Sequence, residues 1–154
     1  MSEIFVSIMN YLNFLINTVK PTKRIFIAVD GVAPRAKNEN QRHRRFHTAK
    51  QLTTNMNFLT KTLESQPGMM EFKHNSITPG TQFMYELCEH LHLFVQKKLD
   101  EDENWRKCKV FLSGGDVPGE GEHKLMEFIR GWKQSPEFDI NESNCIYGND
   151  SDLI

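Results

Sequence analysis

The stretch Ile25-Phe26-Ile27-Ala28-Val29, followed by Asp30-Gly31, contains five consecutive apolar residues and then an acidic turn. An apolar run of this length predicts a strand that is buried on both faces, as in a parallel sheet covered by helices. Two shorter apolar runs follow along the chain, Val110-Phe111-Leu112 and Cys145-Ile146-Tyr147. Each of them is predicted to form a further strand of the same sheet.

Helical patterns precede and separate these predicted strands. Apolar residues recur at the spacing of an amphipathic helix in three segments, which run from Phe5 to Val19, from Phe83 to Val95 and from Leu125 to Trp132. Thr78-Pro79 is predicted to supply the N-cap and the first residue of the second helix. Strands that alternate with helices predict an α/β domain with a mainly parallel central sheet flanked by helices.

The composition is that of a globular protein, either one domain or a piece of a larger one. Of its 154 residues, 38% are hydrophobic and 25% are charged. The three cysteines are far apart and form no C-x-x-C pair, which argues against a disulfide framework or a zinc site and favours a reducing intracellular compartment. The apolar N-terminus carries Glu3 instead of basic residues, and no segment is long enough to span a bilayer. No signal peptide or membrane span is therefore predicted.

All three predicted strands lead into acidic residues. Asp30 follows the first strand, Glu120 and Glu122 follow the glycine-rich stretch after the second, and Asp150 and Asp152 follow the third. In a parallel sheet the carboxyl ends of the strands meet at one edge, where ligands bind. Five carboxylates at one edge repel each other unless cations screen them, and such oxygen ligands favour Mg²⁺ or Mn²⁺ over zinc. The sequence therefore predicts a metal site.

Each of these acids also has a purely structural interpretation. Asp30-Gly31 alone is a turn signal, the two glutamates could favour the positive end of a helix, and the two C-terminal aspartates could be loop residues. These interpretations weaken when the five acids are considered together. Asp116, within the glycine-rich stretch, is left out of the predicted site, and His92 and His123 are interpreted as structural or surface histidines.

A basic segment, residues 35–50, follows the first acid and contains six Lys or Arg residues against one Glu. If the segment is helical, Lys37, Gln41, Arg44 and Arg45 share one face. The segment has almost no apolar stripe, so a ligand is expected to order it; a solvated helix face is the alternative. Arginine forks and a lysine beside a metal-binding edge form a receptor for a terminal phosphate.

Four motifs follow one another along the chain. They are Asp30-Gly31-Val32-Ala33-Pro34-Arg35-Ala36-Lys37 with Gln41 and Arg44-Arg45, then Asn75-Ser76-Ile77-Thr78-Pro79-Gly80-Thr81, then Val117-Pro118-Gly119-Glu120-Gly121-Glu122-His123-Lys124, and finally Asp150-Ser151-Asp152-Leu153. In order and spacing they closely resemble the first conserved region of the Xrn family of 5′→3′ exoribonucleases. The resemblance covers nearly the whole chain.

The resemblance implies a PIN/flap-nuclease-like fold and stepwise, two-metal hydrolysis of RNA with a 5′-monophosphate end, which releases mononucleotides. By the resemblance the five acids (Asp30, Glu120, Glu122, Asp150, Asp152) are the catalytic metal ligands. Lys37, Gln41, Arg44 and Arg45 match the pocket that grips the 5′-phosphate, which a capped or triphosphate end does not fit. The stretch 144–148 favours the cytoplasmic branch of the family.

The chain departs from the family pattern in several places. The family's acidic cluster has more members than the five found here, and the family's base-stacking aromatic platform is absent. Residues 1–154 are therefore expected to be part of the Xrn N-terminal catalytic domain, truncated at both ends, with the remaining parts of the full-length nuclease as partners. Ser151 replaces the usual alanine between the two aspartates, and residues 52–74, which match the family poorly, are expected to form a variable loop.

Three other functions stay open from the sequence. A non-catalytic RNA-binding remnant would keep the basic helix without assembling two metals. A flap-type DNA nuclease would share the acids, but the predicted phosphate pocket argues against it. A phosphatase that uses Asp150 and Asp152 would leave Glu120, Glu122 and the basic helix without a role.

Overall fold

The structure, a computed structural model, describes residues 2–59 and 76–148. Its elements in chain order are α1 (Ser2–Val19), β1 (Arg24–Ala28), α2 (Arg35–Leu59), α3 (Gln82–Glu101), α4 (Glu103–Arg106), β2 (Lys109–Ser113) and α5 (Gly121–Trp132). Strands β1 and β2 are parallel, and their register runs from Arg24 opposite Lys109 to Ala28 opposite Ser113. The predicted α/β class, with a parallel sheet and flanking helices, is confirmed.

Neighbouring residues of a strand point to opposite faces of the sheet, and in this short sheet helices cover both faces. Ile25 is buried in a cluster with Val95 and the fully buried Trp105. The next residue, Phe26, stacks on Phe128 of α5 with ring centroids 4.4 Å apart. Truncating a core tryptophan such as Trp105 costs roughly 3–5 kcal/mol. The sheet therefore depends on α3 and α4 on one face and on α5 on the other.

The predicted N-terminal helix is confirmed as α1. Its buried Phe5 belongs to a second cluster with Phe83 and Met84 of α3. The rings of Phe5 and Phe83 stack with centroids 5.2 Å apart. Within the part of the chain that the structure describes, no helix combines the length and apolarity that crossing a membrane requires.

The predicted third strand is wrong, because residues 145–147 form no strand. These residues and those of β1 line the same cavity, which has a volume of about 280 Å³. Side chains hold the segment in place instead of backbone hydrogen bonds to β1. Glu142 pairs with Arg24 at the start of β1, and the hydroxyl of Tyr147 contacts that of Tyr11.

Helix α3 begins later than predicted, with Thr81 instead of Thr78 as its N-cap. Oγ1 of Thr81 accepts a hydrogen bond from the backbone N–H of Met84 over 3.4 Å. The carbonyl of Thr78 accepts from the N–H of Thr81 over 3.1 Å and closes a turn. Gly80 has a φ of +85°, which no right-handed helix contains, so a helix could not start at Pro79 and continue.

The predicted basic helix is confirmed as α2, and it continues beyond the predicted segment to Leu59. Residues 52–59 are therefore helical and not a loop, and the remainder of the expected variable loop, 60–74, lies outside the described residues. Among the α2 residues whose side chains the structure describes, Lys37, Gln41 and Arg45 are half-buried. Their spacing of four residues shows which face of α2 is turned towards the protein.

Candidate functional site: the acidic edge of the sheet

The loops that leave β1 and β2 are joined to each other through backbone hydrogen bonds. The N–H of Gly31 donates to the carbonyl of Gly119, and the N–H of Gly119 donates to the carbonyl of Val32, each over 2.9 Å. A Cβ atom at residue 31 would lie only 1.9 Å from the carbonyl oxygen of Val117. Gly119 has a φ of +106°, a conformation that side chains disfavour. Both glycines are therefore needed for this close approach.

Asp30 caps the helix that carries the two glutamates. Its Oδ1 accepts a hydrogen bond from the backbone N–H of Gly121, the first residue of α5, over 2.6 Å. Glu120 occupies the N-cap position but makes no side-chain capping bond. A carboxylate at a helix N-terminus satisfies a free N–H and is attracted by the helix dipole. The structure thus brings Asp30 to the start of the segment that carries Glu120 and Glu122.

Glu120 and Glu122 lie together with a lysine and a histidine. Nζ of Lys37 contacts Oε2 of Glu120 and lies 3.8 Å from Oε1 of Glu122. Nδ1 of His123 lies 4.0 Å from Oε1 of Glu120 and 3.8 Å from Oε1 of Glu122. Glu120 is buried, with 7% of its surface exposed, whereas His123 is exposed. Lys37 thus links the basic helix α2 to the acidic edge of the sheet.

The side chains of this cluster fit a divalent cation. Glu120, Glu122 and His123 each offer one ligand atom, and these atoms all lie within 4.8 Å of one another. Two carboxylates suit Mg²⁺ or Mn²⁺, and an added imidazole suits the transition metal better. His123, interpreted from the sequence as a structural or surface histidine, is exposed and also belongs to this group. Its position three residues after Glu120, about one helical turn, is the sequence signal for this contact.

Lys124 is a residue of the site that the sequence did not point to. Its Nζ donates to the carbonyls of Val29 and Gly114, each over 2.8 Å. Burial lowers the pKa of this lysine, and the negative charges of Asp116 and Asp30 oppose that effect. The two carbonyls belong to the residues that directly follow β1 and β2, so Lys124 ties the carboxyl ends of both strands together.

The four predicted phosphate ligands are spread along α2. Lys37 reaches the glutamates, while Gln41 and Arg45 follow on the same face about 6 and 12 Å further along the helix axis. Both are half-buried, whereas Arg44 is exposed. One of the four, Lys37, therefore contacts the acidic cluster, and Gln41 and Arg45 lie on the same face of α2.

The last two predicted metal ligands, Asp150 and Asp152, lie outside the described residues. Asp116 is exposed, and its contribution is electrostatic, through its charge near Lys124. His92 is exposed on α3. Among the described residues, the acidic edge thus consists of Asp30, Glu120 and Glu122.

Comparison with known proteins gives one consistent family. The family model described as "XRN 5'-3' exonuclease N-terminus" matches residues 1–154. The chain is 47% identical over 152 residues to "5'-3' exoribonuclease 1" of Homo sapiens, which covers 99% of this chain and 9% of that protein. It is 45% identical over 152 residues to "5'-3' exoribonuclease 1" of Saccharomyces cerevisiae, with 99% and 10% covered.

A relative with a different name also matches. "5'-3' exoribonuclease 2" of Candida albicans is 42% identical over 163 residues, which covers 99% of this chain and 17% of that protein. The chain thus spans about a tenth to a sixth of the length of these relatives. By the match of the family model over its whole length, the chain belongs to the family of XRN 5'-3' exonuclease N-terminal regions.

Proposed function

We propose that residues 1–154 form part of the catalytic domain of a 5′→3′ exoribonuclease that hydrolyses RNA with a 5′-monophosphate end in the presence of Mg²⁺ or Mn²⁺. The observation that carries the proposal is the contact between Lys37 on the basic helix and Glu120 at the acidic edge. A cation-binding group and a phosphate-binding group meet there, as phosphodiester hydrolysis requires. The remaining parts of the full-length nuclease complete the site. A cytoplasmic location of the protein stays a prediction.

The acids are assigned to metal binding. Asp30, Glu120 and Glu122 hold metal at the carboxyl ends of β1 and β2, and Asp150 and Asp152 complete the predicted set. Divalent ions bound there supply an activated water and stabilise the leaving oxygen. Lys124 keeps the two strand ends together, and the cap that Asp30 provides fixes the start of α5. These contacts support a rigid arrangement of the ligands before metal binds.

The basic face of α2 is assigned to the terminal phosphate. Lys37, Gln41, Arg44 and Arg45 offer ammonium, amide and guanidinium donors within three helical turns. Guanidinium groups bind phosphate oxygens in a bidentate manner, which favours a compact terminal monophosphate. A 5′-triphosphate adds two further phosphate groups, so we expect it to be excluded from the pocket.

The test is hydrolysis by the full-length protein that contains these residues. RNA with a 5′-monophosphate is expected to be degraded with Mg²⁺, while the same RNA with a 5′-triphosphate is degraded far more slowly. Equal rates on the two substrates would show that the phosphate pocket is wrong. A 5′-phosphorylated DNA strand is included, because its preferential cleavage would favour a flap-type DNA nuclease instead.

Asp150→Asn separates catalysis from binding. We expect this variant to lose hydrolysis and keep binding of 5′-monophosphate RNA, because the phosphate ligands on α2 and the metal ligands Glu120 and Glu122 are unchanged. Binding by the unmodified protein without any metal-dependent hydrolysis would instead identify a non-catalytic RNA-binding protein. The two results together distinguish the enzyme from that alternative.

A further inference from the structure

One ammonium group lies between the two glutamates at the start of α5. Lys37 Nζ contacts Oε2 of Glu120 and lies 3.8 Å from Oε1 of Glu122. The two glutamate side chains are only 9% and 13% exposed, whereas that of the lysine is 38% exposed. Water screens such a carboxylate pair weakly, so the lysine offsets much of its internal repulsion.

A divalent cation would bind the same two glutamates. The ligand atoms of Glu120, Glu122 and His123 lie within 4.8 Å of one another, and Nζ of Lys37 pairs with both glutamates of this group. A doubly charged ion bound there would repel an ammonium in contact with its ligands. The ion and Lys37 therefore compete for Glu120.

A displaced Lys37 side chain has a second position within reach. It is the third residue of α2, and Gln41 and Arg45 follow on the same half-buried face. Side chains four residues apart on a helix have Cβ atoms about 5–6 Å from each other. The flexible four-carbon stem of lysine can turn from the glutamates towards these neighbours without any change of the backbone.

We infer that Lys37 makes recognition of the terminal phosphate depend on metal, because it binds Glu120 and Glu122 in the metal-free protein and the phosphate in the metal-bound protein. The inference rests on the proposed function, which assigns metal to the glutamates and phosphate to α2. Metal binding releases the Lys37 ammonium, which then binds the phosphate. The bound phosphate in turn keeps this ammonium away from the metal ligands. By linkage, each ligand raises the affinity for the other by the same factor.

Binding of Mn²⁺, followed by electron paramagnetic resonance, tests this coupling without catalysis. The protein is titrated with Mn²⁺ in the absence and presence of adenosine 5′-monophosphate, which carries a terminal phosphate and no scissile bond. Lys37→Met removes the charge and keeps the length of the side chain. We expect it to bind Mn²⁺ more tightly than the unmodified protein, on the order of five- to tenfold, when the nucleotide is absent.

The nucleotide is expected to tighten Mn²⁺ binding in the unmodified protein and to have a smaller effect in Lys37→Met. Direct attraction between the ion and the phosphate acts in both proteins, so the difference between them measures the contribution of Lys37. Lys37→Arg keeps the positive charge and is expected to bind Mn²⁺ no more tightly than the unmodified protein.

Lys109→Met is the matched control. Lys109 pairs with Glu137 over 3.1 Å on the exposed surface, with both side chains more than 60% exposed. This variant loses the same charge away from the acidic edge and should leave Mn²⁺ affinity unchanged. If Lys37→Met binds Mn²⁺ no more tightly than Lys109→Met, the competition does not exist and the inference is wrong.

Failure of the proposed function would give a different result. Glu122→Gln removes one of the proposed metal ligands, so it is expected to weaken Mn²⁺ binding in the same assay. Unchanged Mn²⁺ affinity in Glu122→Gln would contradict the metal site itself. Normal loss of affinity in Glu122→Gln, together with no gain in Lys37→Met, would contradict the exchange of Lys37 alone.

Discussion

The backbone N–H of Gly121 donates to Oδ1 of Asp30 over 2.6 Å, so a carboxylate that is proposed as a metal ligand also caps α5. Replacement of Asp30 can separate these roles. Asp30→Asn keeps an oxygen acceptor for the cap but loses the charge that a metal needs. Asp30→Ala loses both, and loss of a capping side chain costs about 1 kcal/mol.

We therefore expect both Asp30 variants to lose Mn²⁺ affinity and hydrolysis, and Asp30→Ala to be the less stable of the two. Denaturant unfolding measures the difference in stability, and Mn²⁺ titration measures the metal site. If the two variants unfold at the same denaturant concentration, the hydrogen bond to Gly121 does not contribute to stability.

Gly31→Ala is expected to destabilise the protein because its new methyl group would overlap the carbonyl of Val117, 1.9 Å away. Relief of this overlap must separate the two loops, and overpacking of this kind costs roughly 1–3 kcal/mol. Gly131→Ala is the control, since residue 131 lies in α5 and nothing lies within 4 Å of its added Cβ. Thermal unfolding should show a lower Tm for the first variant and an unchanged or higher Tm for the second.

Two strands of the sheet could be predicted because each of them is an apolar run that can be recognised in its own sequence. Residues 25–29 and 110–112 are apolar runs that helices cover on both faces, and this pattern is visible in each run alone. Residues 145–147 carry the same pattern, but a strand also needs a partner backbone at hydrogen-bonding distance. No backbone hydrogen bond joins residues 145–147 to β1 in the described structure, although both segments line one cavity, and nothing within the segment's own sequence shows that this partner is missing.

The sequence could indicate that Asp30, Glu120 and Glu122 lie at one edge, because parallel strands bring their carboxyl ends together. The contacts at this edge could not be predicted, because they join residues that are far apart in the chain. Asp30 caps a helix that begins 91 residues later, which no local pattern shows. Lys124 could have been found, because it lies one helical turn before Phe128 on the apolar face of α5. A lysine at such a position is buried and needs acceptors.

Lys124→Met and Lys124→Gln test the role of this buried lysine. Methionine removes the ammonium donor from the carbonyls of Val29 and Gly114, although the Gly114 carbonyl still accepts from the N–H of Val117 over 3.2 Å. A buried group that is left unsatisfied costs roughly 1–3 kcal/mol. Glutamine retains an N–H donor without the charge, so it should recover part of the lost stability. Denaturant unfolding is the measurement. Equal loss in the two variants would show that the charge, and not the hydrogen bonding, holds the strand ends together.

The pair of Arg24 and Glu142 predicts a dependence of stability on pH. The hydrogen bond from Arg24 holds the pKa of Glu142 below its ordinary value of 4.5, against the opposing effect of burial. A carboxyl whose pKa is lowered by folding stabilises the fold above its ordinary pKa, and this contribution is lost as the pH falls through the lower value. Glu142→Gln should therefore lower the Tm at pH 7, and the difference from the unmodified protein should shrink below pH 4.5.

Glu137→Gln is the control for this pH dependence. Glu137 pairs with Lys109 across 3.1 Å, but both side chains are mostly exposed. Exposed ion pairs contribute little to stability, so the Tm should change little at either pH. A gap between Glu142→Gln and the unmodified protein that does not narrow as the pH falls below 4.5 would mean that the carboxylate charge is not what stabilises the contact with Arg24.

Arg44→Ala and Arg45→Ala test whether α2 touches the RNA. Each arginine that neutralises a phosphate releases counterions, so affinity for RNA falls steeply with salt. Each variant is expected to bind 5′-monophosphate RNA more weakly and to reduce the slope of log affinity against log salt by about 0.7. Arg130→Ala, in the last turn of α5, removes the same charge elsewhere and should leave the slope unchanged. If the α2 variants show the same slope as Arg130→Ala, the basic helix does not contact RNA phosphate. The acidic edge would then bind metal without a phosphate-binding role for α2.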